Sequence, residues 1–330
     1  MHFKPENSLP GYRYLLAIIA GALLTACTST PLHTGNNRAY ITNQGDNSVS
    51  VIDISSNQVI HTIAVGKSPV GIAVSAKLQR AFVSNVESQE ISVIDTRSNQ
   101  IVNAIKTKGS PVGLALSPDS KTLYAADWFD NRVLAISTQN YSDILELPIG
   151  EAPAGLIVSP DNRNLYIANR DSNDIAVIDT ATLKVKNRIA VGKHPFGLAL
   201  SKSGKLLASV NVQDDTVSII NTESSQQQVY KVGYHPYCAA FSTDEKRLYV
   251  TNTQDDSMSV LDVASGKIIK AVNVGSTPEG ISIDHLTQRA YVANWGSNNV
   301  SVIDLQNNRL LATIKTGDKS RAFGQFILNH

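Results

Sequence analysis

The chain is poor in cysteine, tryptophan and charge. It has two cysteines and two tryptophans in 330 residues, and Asp, Glu, Lys and Arg together make up 17%. Two cysteines, one of them read below as lipidated, leave no disulfide framework. Formal net charge is +1, and removing residues 1–26, with Lys4, Arg13 and Glu6, leaves 27 residues of each sign. A neutral body carries no electrostatic footprint for sequence-blind binding to a phosphate backbone. The chain also lacks G-x-S-x-G, a phosphate-cradling glycine loop, and the C-x-x-C-H that would attach haem covalently. No apolar run is long enough to span a bilayer as a helix, since the longest, residues 15–24 (LLAIIAGALL), is only ten residues.

That run has the length of a signal-peptide core and follows a polar stretch carrying Lys4 and Arg13. After it comes Leu24-Thr25-Ala26-Cys27, a branched apolar residue, two small ones and a cysteine. This resembles the lipobox of bacterial lipoproteins. The resemblance implies cleavage before Cys27, acylation of its thiol with palmitoyl-type chains, and removal of residues 1–26. Thr28 stands where an Asp would imply inner-membrane retention, so the expected location is the outer membrane, facing the periplasm. Residues 27–37 then read as the lipidated cysteine and a polar tether.

What the chain has in abundance is repetition. The unit reads G-x-x-P-x-G, an apolar strand, an aromatic-Val-x-Asn strand, a polar loop, Val-Ser-Val-Ile-Asp and a last apolar strand. Its leading glycines are Gly66, Gly109, Gly150, Gly192, Gly233, Gly275 and Gly317, stepping by 43, 41, 42, 41, 42 and 42 residues. A fixed period of this length marks a repeat architecture. Four short strands per unit, rich in Val, Ile, Leu and Tyr, predict an all-β, seven-bladed β-propeller over residues 38–330, with four-stranded blades.

Positional chemistry agrees. Two residues after each Pro position lies Gly71, Gly113, Gly155, Gly197, Cys238, Gly280 or Ala322, always small, as crowding near an axis demands. The chain enters at residues 38–43 as a second strand without a first, and leaves at 317–328 as a first strand without a second. The C-terminal strand is therefore expected to close the ring by joining the N-terminal blade, which leaves no long unpaired edge.

The second strands read YITN (40–43), FVSN (82–85), YIAN (166–169), YVTN (249–252) and YVAN (291–294). With VSVID and GxxP, the chain resembles the YVTN-repeat propellers, including the periplasmic YncE-like proteins, over residues 38–328. The resemblance implies the fold. Activity does not follow, because propellers host binding, scaffolding, lactone hydrolysis and haem chemistry alike.

Repeat alignment places the GxxP loops and the loops after the strand-ending Asn on one face, around the axial opening. Both tryptophans fall at one repeat position, and two histidines at another in adjacent blades. The expected rim is Trp128, Arg170, His194, Phe196, His235, Tyr237, Glu279, Trp295 and Arg321. The alternative is that the aromatics plug the funnel mouth and the histidines bond loop backbone. No cofactor is required; a metal at His194 and His235, with Glu279 as third ligand, is one possibility, although the spacing is not a metal signature. The loops GDNS (45–48), RDSND (170–174), QDDT (213–216) and QDDS (254–257) lack a calcium-loop pattern and read as turns.

The leading functional expectation is a non-catalytic, lipid-anchored binding or scaffold protein that presents its rim to an envelope protein, peptide or small ligand. A lactonase- or lyase-like enzyme using the rim histidines and Glu279 is the alternative. Single-strand nucleic-acid binding, suggested by the YncE-like relatives, is a third reading that net neutrality opposes.

Overall fold

The computed structural model describes residues 37–329. Cys27 and the segment before it lie outside these residues. The described residues form seven sheets, six of four strands and one of five, with no helix. Blades two to seven each use four consecutive strands, running from Pro69–Ser75 to Gln100–Lys106 in the second and from Pro278–Asp284 to Arg309–Lys315 in the seventh.

Burial explains why the strands read as they do. In the second and third strands of a blade nearly every residue is buried, as in Arg38–Asn43 and Ser48–Asp53, because each sheet face packs against a neighbouring blade. The outermost strands are mostly exposed around one buried anchoring residue, such as Ile63, Ile105, Ile189 or Ile314. The repeated Asn is a buried tie. Asn85 donates to Ser92 at 2.8 Å, and Asn43, Asn252 and Asn294 donate to Ser50, Ser259 and Ser301. Asn169 faces Ala176 and turns instead to Asp174.

At the hub the glycines of this small-residue row meet the backbone of the next blade. A Cβ on Gly71 would lie 2.0 Å from the Val112 carbonyl oxygen, and one on Gly155 2.2 Å from that of Phe196. Hydroxyls reach the same row of carbonyls. Thr42 donates to the Val70 oxygen, Ser84 to that of Val112 and Thr251 to that of Glu279.

The polar loops are latches rather than simple turns. In six of them an Asn or Asp with positive φ accepts the N–H of the residue before the Pro position in the next blade: Asn47 from Ser68, Asn131 from Ala152, Asn173 from His194, Asp215 from His235, Asp256 from Thr277 and Asn298 from Lys319. One loop departs from this. Gly109 stands one residue too close to Pro111, which accounts for the 43-residue step before it and the 41-residue step after it. There positive φ falls on Lys108, and Ser110 donates to Asp127, the residue that replaces the strand-ending Asn.

Ring closure follows the expected plan with one departure. Ser320 bridges Asn43, Arg321 N–H donates to Thr42, and Ile327–Leu328 pairs with Ala39 and Arg38. Between these contacts Phe323–Gln325 swings out and pairs parallel with Gly71–Ala73 of the second blade. Ala322 (φ 54°) and Gly324 (φ 121°) make the excursion, and Gly324 suits a backbone region closed to most side chains. The C-terminus thus stitches two blades. Deleting residues 320–330 should lower the melting temperature of the whole ring by at least ten degrees in a single transition; calorimetry showing an unchanged transition would refute the closure.

The Asp ending most third strands collects the following turn. Asp95 is held below the usual carboxylate range by the Ser98 N–H, Asp179 by that of Thr182, Asp262 by the Ser265 hydroxyl and Asp304 by the Asn307 amide. A depressed folded-state pKa gives stability that is present above the unfolded value of about 4 and lost as pH falls below it. Thermal denaturation should therefore show a plateau from about pH 8 to 5 and a progressive fall below pH 4. Asp→Asn at these positions should blunt that fall and keep the turn, since Asn221 in the fifth blade already caps Glu223 and Ser224 N–H groups.

Candidate functional site: the axial rim

The glycine–proline loops and the loops after the strand-ending Asn meet as expected. Pro195 pairs with Asn211 and Pro278 with Asn294, and the N–H groups of Gln44, Val86, Arg170, Val212, Thr253 and Trp295 donate to the carbonyl before each Pro position. Both tryptophans therefore sit on one face, each half-buried.

The floor of this mouth is made by the residues just after Pro. Val70, Val112, Ala154 and Phe196 are buried, as is Phe323 from the C-terminal excursion. Phe196 stacks on Tyr237 at 4.3 Å between centroids, on Phe323 at 4.9 Å and on Trp128 at 5.8 Å. These rings close the axial opening from below, so the plug reading and the rim reading describe the same residues. Arg170 lies 5.4 Å above the Trp128 ring, and Lys319 lies at the same distance over Trp295. Such cation–aromatic pairs contribute about 0.5–1 kcal/mol when exposed.

The polar part of the rim is one network. Arg321 donates through Nε to Glu279 at 2.5 Å, through Nη2 to Glu279 at 3.1 Å and to the Tyr237 hydroxyl at 2.6 Å. Its Nη1 and the Trp295 indole N–H both reach Gln44 Oε1. Glu279 is only 6% exposed, so its carboxyl depends on Arg321 for compensation. Burial pushes that carboxyl up, and the guanidinium opposes the shift. Burial raises the Tyr237 phenol as well, so Tyr237 stays neutral and accepts from Arg321, with its own hydrogen left to donate.

The histidines are not drawn into this network. His194 Nε2 lies 3.9 Å from Asp171, which also pairs with Arg170. Burial and the Arg170 charge lower the His194 pKa, so the imidazole is neutral near pH 7. Glu279 is committed to Arg321, and no group of three or more His, Cys, Asp or Glu among the described residues is arranged to hold a metal ion. Glu279 thus serves Arg321 in this arrangement, and His194 faces Asp171. Cys238 is buried and pushed up by that burial, so it is a neutral wall residue.

Two rim residues escaped the sequence reading. Phe129 is 71% exposed and Tyr234 is 64% exposed, the two highest values among the large apolar side chains described as exposed. Each occupies a repeat position where other blades carry mainly Lys, Asp, Glu, Gln, Ser or Gly, and that contrast was a usable signal. Gln44 shares its repeat position with Trp128 and Trp295. The entry of Phe323 had no sequence signal, because it depends on the positive φ of Ala322.

Comparison with known proteins bears on the fold. The family described as "Lactonase, 7-bladed beta-propeller" matches residues 139–238. That is under a third of the chain. No curated protein matches. Among solved structures, hydrazine synthase of Kuenenia stuttgartiensis is similar at 23% identity and a TM-score of 0.72, over 80% of this chain and 91% of that one. A functionally unknown protein from Desulfotomaculum acetoxidans DSM 771 is similar at 14% identity and a TM-score of 0.77, over 89% and 98%. A Bacteroides fragilis protein described as a candidate 6-phosphogluconolactonase aligns at 14% identity and a TM-score of 0.74, over 91% and 99%.

Arg321 gives a clean test of the network. Arg321→Met strands a buried carboxyl and should cost about 3–5 kcal/mol, whereas Arg321→Met with Glu279→Leu should recover most of it. Urea denaturation of the single and double variants measures both; equal losses would mean that the pair does not act as a unit.

Proposed function

We propose that this protein is a non-catalytic binding propeller whose axial rim receives a peptide or protein partner at the cell envelope. One observation carries the reading: Phe129 and Tyr234 stand exposed on rim loops around an aromatic floor. Exposed aromatic side chains rimmed by polar groups mark interaction surfaces, and Tyr, Trp and Arg dominate the energetics of such contacts. The reactive candidates are otherwise engaged, with Glu279 held by Arg321 and Cys238 buried. Arg170, Lys319 and the free hydrogen of Tyr237 favour a partner that offers carboxylates or carbonyls beside flat apolar groups.

Lipidation at Cys27 belongs to the same proposal. A tether of ten residues, 28–37, reaches about 35 Å when extended, which keeps the ring close to its membrane. Acyl chains anchor at about 0.8 kcal/mol per buried methylene.

A lactonase reading has its own support, since the matched stretch 139–238 holds Arg170, His194, Phe196, His235 and Tyr237. Neutral His194 is in the protonation state of a general base.

The experiment compares wild type, Phe129→Ala/Tyr234→Ala and His194→Ala, each extracted from native membranes, and follows Cys27→Ala by cell fractionation. The double surface variant should keep its stability within about 0.5 kcal/mol and lose at least nine-tenths of the co-purifying partner. Cys27→Ala should leave the membrane fraction. Undiminished partner recovery in the double variant would sink the rim reading. Lactone turnover in wild type that disappears in His194→Ala would replace it with the enzyme.

A further inference from the structure

The face opposite the rim has a chemistry of its own. Each strand of a blade reverses the one before it, so the turns joining first to second and third to fourth strands all lie on that face. The chain also enters the ring there. Asn37 is 6% exposed, and its carbonyl accepts the N–H of Ile54, which opens the turn after the third strand of the first blade. Arg38 follows, paired with Asp53 at the end of that third strand.

Charge divides between the two faces. The turns opposite the rim carry eight Lys or Arg, all exposed, against six Asp or Glu, of which four are exposed. The rim loops reverse this, with six basic residues against ten acidic ones. Ion pairs on the turn face hold Arg97, Lys121 and Arg163 to a neighbouring Asp. Lys202, Lys205, Lys246 and Lys267 are exposed and join none of these pairs. Glu245, the carboxylate between their turns, is taken by the Ser203 N–H and hydroxyl. That contact and the one between Thr243 and His285 link turns of the fifth, sixth and seventh blades into one patch. Leu286 stands 56% exposed at its edge, the one large apolar side chain held out on these turns among the described residues. Lysines around a projecting apolar side chain suit an anionic bilayer, where the cations meet headgroups and the apolar group enters the interface.

We propose that this turn face docks on an anionic lipid surface, through Lys202, Lys205, Lys246 and Leu286, so that the rim points away from the membrane. The proposal rests on lipidation at Cys27 and deepens the function proposed above, because it leaves the rim open to a partner. A tether of about 35 Å lets the ring turn over, so charge decides which face meets the lipid. The attraction acts only within a Debye length of about 8 Å, which the exposed turns reach and the acidic rim loops, on the far side of the ring, do not.

The test reconstitutes the protein purified from membranes into vesicles of phosphatidylcholine, alone or with about 30% phosphatidylglycerol. A membrane-impermeant amine reagent then labels lysines, and peptide mass spectrometry reads the rate at each. On anionic vesicles Lys202, Lys205 and Lys246 should label at least threefold more slowly than on neutral ones, and about 0.5 M salt should remove the difference. Rim lysines Lys67, Lys108 and Lys193 should label equally on both. Lys202→Glu/Lys205→Glu/Lys246→Glu, with its fold checked by circular dichroism, should stay on the vesicles through its acyl chains while Lys77 and Lys267 lose their protection. Equal labelling of the two faces on anionic vesicles, protection of the rim instead, or single-stranded DNA shielding these lysines where vesicles do not would overturn the docking. The same spectra report the mass of the N-terminal peptide: an unmodified Cys27 overturns lipidation and docking together, whereas an acylated Cys27 with equal labelling overturns the docking alone.

Discussion

The constraint on which this molecule depends is the approach of one blade's backbone to the next at the hub. Gly71, Gly113, Gly155, Gly197 and Gly280 each sit where an added Cβ would strike a neighbouring carbonyl oxygen. Most of those carbonyls belong to Val112, Ala154, Phe196 and Tyr237, residues whose side chains build the rim floor. Crowding thus acts on the backbone of these positions and leaves their side chains free. The same repeat position can be Val in the second and third blades, Phe in the fifth, Tyr in the sixth and Glu in the seventh without disturbing the ring.

That freedom is used unevenly. Val70, Val112 and Ala154 make one arc of the mouth small and apolar, while Phe196, Tyr237, Glu279 and Arg321 fill the rest with rings and a buried ion pair. A buried pair adds little to stability over an apolar substitute, and its desolvation is offset only by good geometry. Arg321 meets that condition by contacting Glu279, Tyr237 and Gln44 at once. Its arrangement fixes Trp295 through the shared Gln44 oxygen, so the polar and aromatic parts of the mouth hold each other in place.

The two ends of the axis differ for the same reason. Rim loops after Pro and Asn lie outside the sheets and accept charged and aromatic residues, whereas the axial cavity is walled by inner strands that carry no Asp, Glu, Lys or Arg and pack blade on blade. Phe323 of the C-terminal excursion lines that cavity and packs on Phe196 of the rim floor.

Sequence alone determined the blade count, the strand order and the single face shared by Trp128 and Trp295, because these follow from periodicity and from the two-residue alternation of strands. It also set out the rim, since Tyr237, Glu279 and Arg321 are one repeat position read three times. Phe129 and Tyr234 were legible as apolar outliers among polar equivalents. Tertiary structure decided what no repeat could encode. Ala322 and Gly324 turn the last strand into the second blade, Phe323 enters the axis, and Arg321 takes Glu279 away from the histidines. Those outcomes depend on contacts between residues far apart in the chain, where backbone geometry and charge pairing override local pattern.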